Sequence, residues 1–116
     1  MQEKPTTQHK DLLAQSTTVT ELQDYIKKTA ADRGFSEETV TEKMLLMVEE
    51  IGELAKSLRK FTGLKVDSEK ADKYSKVQHE MADIMFYLFD IANKLDINIL
   101  EAFKEKEIEN SKRVWK

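Results

Sequence analysis

The sequence contains no cysteine, one proline and three glycines in 116 residues. Without cysteine the chain can form neither a disulfide nor a metal site built on thiolates. Because proline and glycine interrupt regular structure, their scarcity predicts few tight turns and long uninterrupted elements. Long apolar runs are also missing: the most apolar stretch, residues 84–91, is much shorter than the ~20 residues that a membrane-spanning helix needs.

The chain also lacks an excess of charge of one sign. Its 19 lysines and arginines and 22 aspartates and glutamates give a formal net charge of −3, and no long basic run occurs. This balance argues against binding to nucleic acid. The first residues are polar and do not resemble a signal peptide. We therefore expect a cytoplasmic protein that contacts neither nucleic acid nor a membrane.

The length and composition fit one helix-rich domain with a modest core. Charged residues make up 35% of the sequence and hydrophobic residues 40%, which is typical of soluble helical proteins. Residues 1–17 contain the only proline and many polar residues, so we assign them to a flexible tail. Residues 18–116 form the predicted single domain.

Capping signals predict where the first two helices begin and end. Thr18 and Glu21 have the spacing of a capping box and open the first helix. Gly34 is placed to end it, since glycine tolerates a left-handed conformation. Ser36, followed by two acids, predicts the start of the second helix, and Gly63 its end. The second helix has an apolar face formed by Met44, Met47, Val48, Ile51, Leu54, Ala55 and Leu58.

Two more helices follow in the second half of the chain. The third begins at a cap on Asp67 or Ser68 and fades over Asn93 to Asp96, and Asn98 with Glu101 opens the fourth. The apolar face of the third helix consists of Val77, Met81, Ile84, Met85, Leu88 and Ile91. No segment alternates as a strand would. Four helices with short links predict an all-α, antiparallel four-helix bundle.

Two pairs of carboxylates lie in the second and third predicted helices. Glu50 and Glu53 are three residues apart in one, and Glu80 and Asp83 repeat this spacing in the other. Residues three apart share one side of a helix, and both pairs border apolar residues. Most helical glutamates are simply solvated. Asp83, however, begins the most apolar run of the chain although aspartate is a poor helix former, which favours a functional role.

Antiparallel packing of these two helices would bring the two pairs together. At a separation of ~5 Å each pair of like charges costs about 3 kcal/mol at an effective dielectric constant of about 20. Protonation or bound cations must relieve this repulsion. A site made only of carboxylate oxygens suits Mg²⁺, with Mn²⁺ also possible, better than zinc.

The same residues carry a resemblance to a known family. The strings EEIGE at residues 49–53 and EMAD at residues 80–83 resemble the metal motif, EExxE followed by ExxD, of the MazG-like all-α NTP pyrophosphohydrolases. The RGF segment at residues 33–35 and the KxxxNxxR pattern at residues 106–113 resemble further parts of that family. The likeness extends over residues 20–116.

This resemblance implies a MazG fold and an enzyme that hydrolyses an NTP or dNTP to the monophosphate and pyrophosphate, cleaning the nucleotide pool. It implies that Mg²⁺ is bound by Glu50, Glu53, Glu80 and Asp83, and that Glu49 orients or deprotonates the attacking water. The family also favours homodimers and homotetramers, which suits a small chain with a modest core.

The resemblance further implies which residues hold the nucleotide. Lys106, Asn110 and Arg113 share one face of the fourth helix and would hold the triphosphate, where an arginine can contact two oxygens at once. Surface cations near a C-terminus are the ordinary alternative. The aromatic candidates for stacking on the base are, in order, Phe35, Tyr87 and Trp115.

Three other functions are alternatives to this one. A di-iron carboxylate bundle needs Glu-x-x-His pairs, and the sequence contains none. A non-catalytic helical interaction module of the same fold would keep the carboxylates without turnover. A phosphoribosyl-ATP pyrophosphohydrolase would have similar carboxylates, although the KxxxNxxR pattern favours the MazG-like group.

Overall fold

The structure, a computed structural model, describes residues 13–63 and 67–114, without the side chains of residues 63 and 67–73. The elements in chain order are α1 (Val19–Asp32), a 3₁₀ helix (Phe35–Glu37), α2 (Val40–Gly63), α3 (Asp67–Lys94) and α4 (Ile99–Ser111). No strand occurs among the described residues, so the all-α prediction is confirmed. None of the helices in this described part is long and apolar enough to cross a membrane.

Helix α1 begins and ends where the sequence predicts. The hydroxyl of Thr18 accepts a hydrogen bond from the Glu21 N–H at 3.1 Å, and the Glu21 carboxylate accepts one from the Thr18 N–H at 2.8 Å. Gly34 follows the last turn with φ of 82°, a left-handed conformation that is strained for other residues. Of the predicted tail, only residues 13–17 are described, and they form a turn closed by Thr17 and Ala14.

The predicted start of α2 at Ser36 is wrong. Ser36 lies in the 3₁₀ helix, Glu38 is extended, and α2 begins at Val40. The Thr39 N–H donates to the Glu42 carboxylate at 2.8 Å, and the Glu42 N–H donates to the Thr39 hydroxyl at 3.1 Å. This capping box satisfies two backbone donors at once, which favours Thr39 as the cap.

The remaining boundaries follow the predictions closely. α3 begins at Asp67, one of the two residues predicted to cap it, and ends at Lys94, inside the predicted range of 93–96. α2 ends at Gly63 as predicted. Asn98 caps α4, because its side-chain oxygen accepts a hydrogen bond from the Glu101 N–H at 3.0 Å.

Helices α2 and α3 form an antiparallel hairpin, and this hairpin makes the most extensive helix contact. Lys43, near the start of α2, pairs with Asp90, near the end of α3, at 2.7 Å. At the other end of the hairpin the rings of Phe61 and Tyr74 are 6.0 Å apart. α1 packs on α3 and α4 packs on α1. Because α4 has no buried residue, the four helices of one chain do not share a single core.

The predicted apolar face of α2 only partly coincides with the face that packs against α3. Lys43, Met47 and Ser57 are buried there. Most of the predicted series on α2 is exposed, and on α3 half of the predicted series is exposed, whereas Val77 is buried. We call the exposed set the outer apolar face; it consists of Met44, Val48, Ile51 and Leu58 of α2 and Met81, Met85 and Leu88 of α3.

The outer apolar face lies on one side of the hairpin. Met44 and Val48 each follow a buried residue of α2 by one position, and Met81 follows buried Glu80 on α3. Moving one position along a helix rotates the side chain by about 100° around the helix axis. In two antiparallel helices that face each other, this rotation turns the side chains of both helices toward the same side of the pair. The register set by Lys43 and Asp90 brings Val48 level with Met85. The hairpin therefore exposes a continuous apolar surface.

Candidate active site

The predicted carboxylates lie halfway along the α2–α3 hairpin. Burial raises the pKa of Glu50, and the negative charges of Asp83, Glu80, Glu53 and Glu49, in that order, raise it further. The antiparallel register that pairs Lys43 with Asp90 also brings position 50 opposite position 83. The structure therefore gathers the carboxylates of both helices around Glu50, while their roles as metal ligands or as a base stay predictions.

Glu80 is the most buried of these carboxylates. Its residue is 7% exposed, and its Oε1 atom is buried without a hydrogen-bond partner. A buried carboxylate oxygen without a partner loses its hydration and gains nothing in return. A cation beside Glu80 would satisfy that oxygen.

The donor set fits a hard divalent cation, although its side chains are not arranged as a finished metal site. Among the described residues, no three histidine, aspartate or glutamate side chains lie close enough to hold a metal ion. Glu49, Glu53 and Asp83 are exposed and can change rotamer without disturbing the core. The orphaned oxygen of Glu80 and the crowding around Glu50 both favour a bound cation, and carboxylate oxygens are the ligands that Mg²⁺ prefers.

A cavity of about 220 Å³ opens beside these carboxylates. Its lining combines acidic, aromatic and cationic side chains. They are Arg33, Phe35, Glu50, Asp83, Phe86 and Tyr87. The cavity thus brings together Glu50 and Asp83, which are two of the predicted metal ligands, and Phe35, the first candidate for stacking on the base. The side chain of Arg33 adds a positive charge to the same site.

The aromatic wall of the cavity is ordered by edge-to-face contacts. The centroid of the Phe86 ring lies 6.3 Å from that of Phe35 and 6.4 Å from that of Tyr87. The Arg33 guanidinium carbon lies 5.7 Å from the Phe86 ring centroid, within the range of a cation–π contact. Burial raises the pKa of Tyr87, and the negative charge of Glu50 raises it further, so its hydroxyl stays protonated at neutral pH.

Sequence reasoning missed Phe86 and gave Arg33 no role of its own. Phe86 follows Asp83 by three residues, so it lies on the same side of α3, and this spacing could have identified it. Arg33 is placed by the left-handed Gly34 that follows it, which turns the chain back over α3. No local signal predicts that contact.

The predicted phosphate-binding residues do not line the cavity. Lys106 and Asn110 lie on α4 and Arg113 follows it, whereas the cavity is formed by α2, α3 and the segment after α1. Lys106 has an exposed ion pair with Glu109 at 4.0 Å. Their role in holding a triphosphate stays a prediction. Trp115 lies outside the described residues.

Comparison with known proteins corrects the family assignment. A family model described as dUTPase matches residues 12–114. Searches among curated proteins and among solved structures gave no match. The assignment to the MazG-like family is therefore wrong. The metal motif constrains the faces of two helices but not the pocket around the base, so it does not separate families of helical nucleotide hydrolases.

The match covers α1 to α4 in full, including every residue of the cavity. It indicates a hydrolase that acts on nucleoside triphosphates, the coarser form of the activity expected from the sequence. A carboxylate cluster next to an aromatic cavity is consistent with such a substrate. We conclude that the chain belongs to the dUTPase family.

Proposed function

We propose that this protein is a magnesium-dependent pyrophosphohydrolase that converts dUTP to dUMP and pyrophosphate. The observation that carries the proposal is the cavity that Glu50 and Asp83 line together with Phe35, Phe86 and Arg33. One side offers oxygen ligands for a cation and its bound phosphates, and the other offers apolar surface for a base. The dUTPase family match supports uracil as that base.

Glu50, Glu53, Glu80 and Asp83 would hold Mg²⁺, and Mn²⁺ could replace it. The bound ion would polarise phosphoryl oxygens and offset the charge of the leaving pyrophosphate. Glu80 is the anchor among these residues, because it is buried and its Oε1 lacks another partner. The exposed carboxylates adjust around it when the substrate enters.

The protein's other residues would bind the substrate and handle the proton. Glu49 orients the attacking water and accepts its proton, while Phe35 stacks on the base. The ring of Phe86 supports Phe35 from the side. Arg33 carries a positive charge at the rim of the cavity, where it counters the negative charge of the phosphates.

Lys106, Asn110 and Arg113 would bind the triphosphate oxygens farther from the base. Their shared helical face supports this role. Since α4 packs on α1, they reach a cavity only if α4 moves when dUTP binds or if they belong to a second copy of the chain.

A second copy is also favoured by the outer apolar face. Stable interfaces bury about 800 Å² on each partner, and seven large apolar side chains spread over both helices of the hairpin offer a surface of that order. Two hairpins packed through this face would form a four-helix core. We therefore infer a homodimer as the smallest functional unit, and a homotetramer would repeat the contact.

The test is a hydrolysis assay with dUTP, dTTP, dCTP and UTP, with and without Mg²⁺, in which pyrophosphate and monophosphate are both quantified. We expect dUTP to be preferred and activity to disappear without a divalent cation. Asp83→Asn should lower kcat by about 100-fold or more, because it removes a ligand charge but keeps the side-chain shape. Asp24→Asn, an exposed residue of α1, is the matched control and should retain full activity.

Two results would overturn the proposal. One is the absence of pyrophosphate release from any of these nucleotides in the presence of Mg²⁺ or Mn²⁺. The other is full turnover by the Asp83→Asn variant, which would show that the cavity carboxylates are not the catalytic centre.

A further inference from the structure

Lys43 is the most deeply buried large side chain among the described residues. Its side chain is 1% exposed, and it lies at the start of α2 in the interface with α3. Burying an ammonium group costs several kcal/mol unless it is paired and hydrogen-bonded. A lysine at such a position therefore calls for an explanation beyond packing.

The partners of Lys43 connect two parts of the chain. Its Nζ donates to the Asp90 carboxylate of α3 at 2.7 Å and to the Phe35 carbonyl of the 3₁₀ helix at 2.6 Å. The Glu38 carboxylate lies 3.6 Å away and adds a second negative charge. The ammonium group thus ties the 3₁₀ helix, through the main chain of Phe35, to the end of α3.

A second lysine holds the neighbouring carbonyl. The Nζ of Lys94, the last residue of α3, donates to the Ser36 carbonyl at 3.0 Å. Two consecutive carbonyls of a three-residue 3₁₀ helix are therefore held by ammonium groups. A 3₁₀ helix this short has little stability of its own, so these contacts with α2 and α3 fix its position.

The 3₁₀ helix presents Phe35 to the cavity that contains Glu50 and Asp83. We propose that Lys43, held by Asp90, is a positioning residue that keeps Phe35 in place for the nucleotide base, with Lys94 as a weaker second contact. This inference rests on the proposed function for the identity of the base, but the contact itself is a property of the free protein. Lys43 touches neither the cavity nor its carboxylates and acts only through Phe35.

The double substitution Lys43→Met with Asp90→Leu tests the proposal. It replaces the ion pair by apolar side chains of similar shape, which often preserves stability. It also removes the ammonium donor from the Phe35 carbonyl, which then retains its hydrogen bond from the Glu38 N–H at 3.3 Å. We expect amide hydrogen exchange in residues 34–38 to accelerate by about tenfold, as for a lost hydrogen bond to a charged donor, and KM for dUTP to rise by a similar factor. Amide hydrogen exchange in the middle of α2 and α3 should stay within about twofold of wild type. The same holds for kcat.

Lys94→Ala is the second variant, because an exposed residue can be replaced without affecting folding. It should give the same pattern with smaller changes, about twofold to threefold in KM. Lys28→Ala, which removes an exposed lysine paired only with Asp24 on α1, is the control and should change neither measurement.

The outcomes separate the positioning role from the proposed function. Unchanged exchange in residues 34–38 and unchanged KM in both variants would overturn the positioning role. A fall in kcat with unchanged KM and exchange would also contradict it. If the wild-type protein does not hydrolyse dUTP, the proposed function fails, and the exchange measurement still decides whether Lys43 orders the Phe35 segment.

Discussion

The pKa of Glu50 depends on the negative charges of the whole site. It is half-buried in the hairpin, and burial together with four neighbouring carboxylates raises its pKa. A carboxylate with a raised pKa is more easily protonated in the folded protein than in the unfolded chain. The metal-free protein therefore pays a free-energy cost when Glu50 loses its proton, and a bound cation removes that cost.

This cost predicts a pH dependence of stability. Because the folded pKa of Glu50 is raised above its ordinary value of 4.5, its contribution is favourable at low pH and is lost as the pH rises through the folded pKa. Glu50→Gln should therefore raise the Tm of the metal-free protein at pH 8 and flatten the decline of Tm above pH 5. Thermal unfolding in EDTA from pH 4 to pH 9 measures this.

If Mg²⁺ binds these carboxylates, it should stabilise the wild-type protein, and the same variant should lose that stabilisation because a ligand charge is missing. Glu105→Gln, on the exposed surface of α4, should leave both measurements unchanged. A metal-free Glu50→Gln protein that is less stable than wild type at pH 8 would contradict this account of the site.

At the scale of the elements, one side chain joins three helices. Gln23 of α1 is buried, and its amide nitrogen donates to the Asn93 side chain at 3.0 Å and to the Ile97 carbonyl at 2.6 Å. Its amide oxygen accepts from the Ile99 N–H at 2.9 Å. Gln23 therefore fixes α1 against both the end of α3 and the start of α4, and in this way fixes the segment that follows α1 over the cavity.

Gln23→Leu should destabilise the protein by about 1–3 kcal/mol, because it leaves the part-buried Ile99 N–H and Ile97 carbonyl without these hydrogen bonds. Urea unfolding monitored by circular dichroism gives the free energy of unfolding. Gln78→Leu, at an exposed position of α3, is the matched control and should change stability by less than ~0.5 kcal/mol. Equal effects of the two substitutions would show that the Gln23 contacts do not hold the helices together.

At the scale of the whole molecule, one side of the hairpin is covered and the other is not. α1 lies against α3 on the side of the cavity, whereas the outer apolar face is left exposed. Exposed apolar patches of this extent are typical of interaction surfaces. The proposed homodimer would cover this face in both copies at once and leave both cavities open.

Val48→Glu should convert the proposed homodimer to a monomer. Val48 lies level with Met85 in the outer apolar face and is 50% exposed in the single chain, so a charge there remains solvated in the monomer but is buried in the dimer. Light scattering with size-exclusion chromatography should give a mass near the 13.5 kDa of one chain for the variant and twice that mass for wild type. Val114→Glu, at an 85% exposed position outside this face, should remain dimeric, and a monomeric wild-type protein would refute the proposal.

Local chemistry in the sequence determined most of the helix boundaries. Thr18 with Glu21, Gly34, and Asn98 with Glu101 act within a few residues of their own positions, so neighbouring residues alone fix their structure. The exception, Ser36, failed because Thr39 and Glu42 form a better capping box three residues later. Carboxylate spacing likewise indicated which residues share a side of α2 and of α3.

Only the tertiary structure decided which faces of those helices meet. Apolar periodicity placed Met44, Met47, Val48 and Ile51 in the core, but of these the hairpin buries only Met47, and it buries the charged Lys43 beside it. The physical reason is that periodicity reports that a face will be covered without reporting what covers it. The pairing of Lys43 with Asp90, 47 residues apart, and the meeting of Arg33 with Phe86 over the cavity depend on packing between distant segments, which no local pattern encodes.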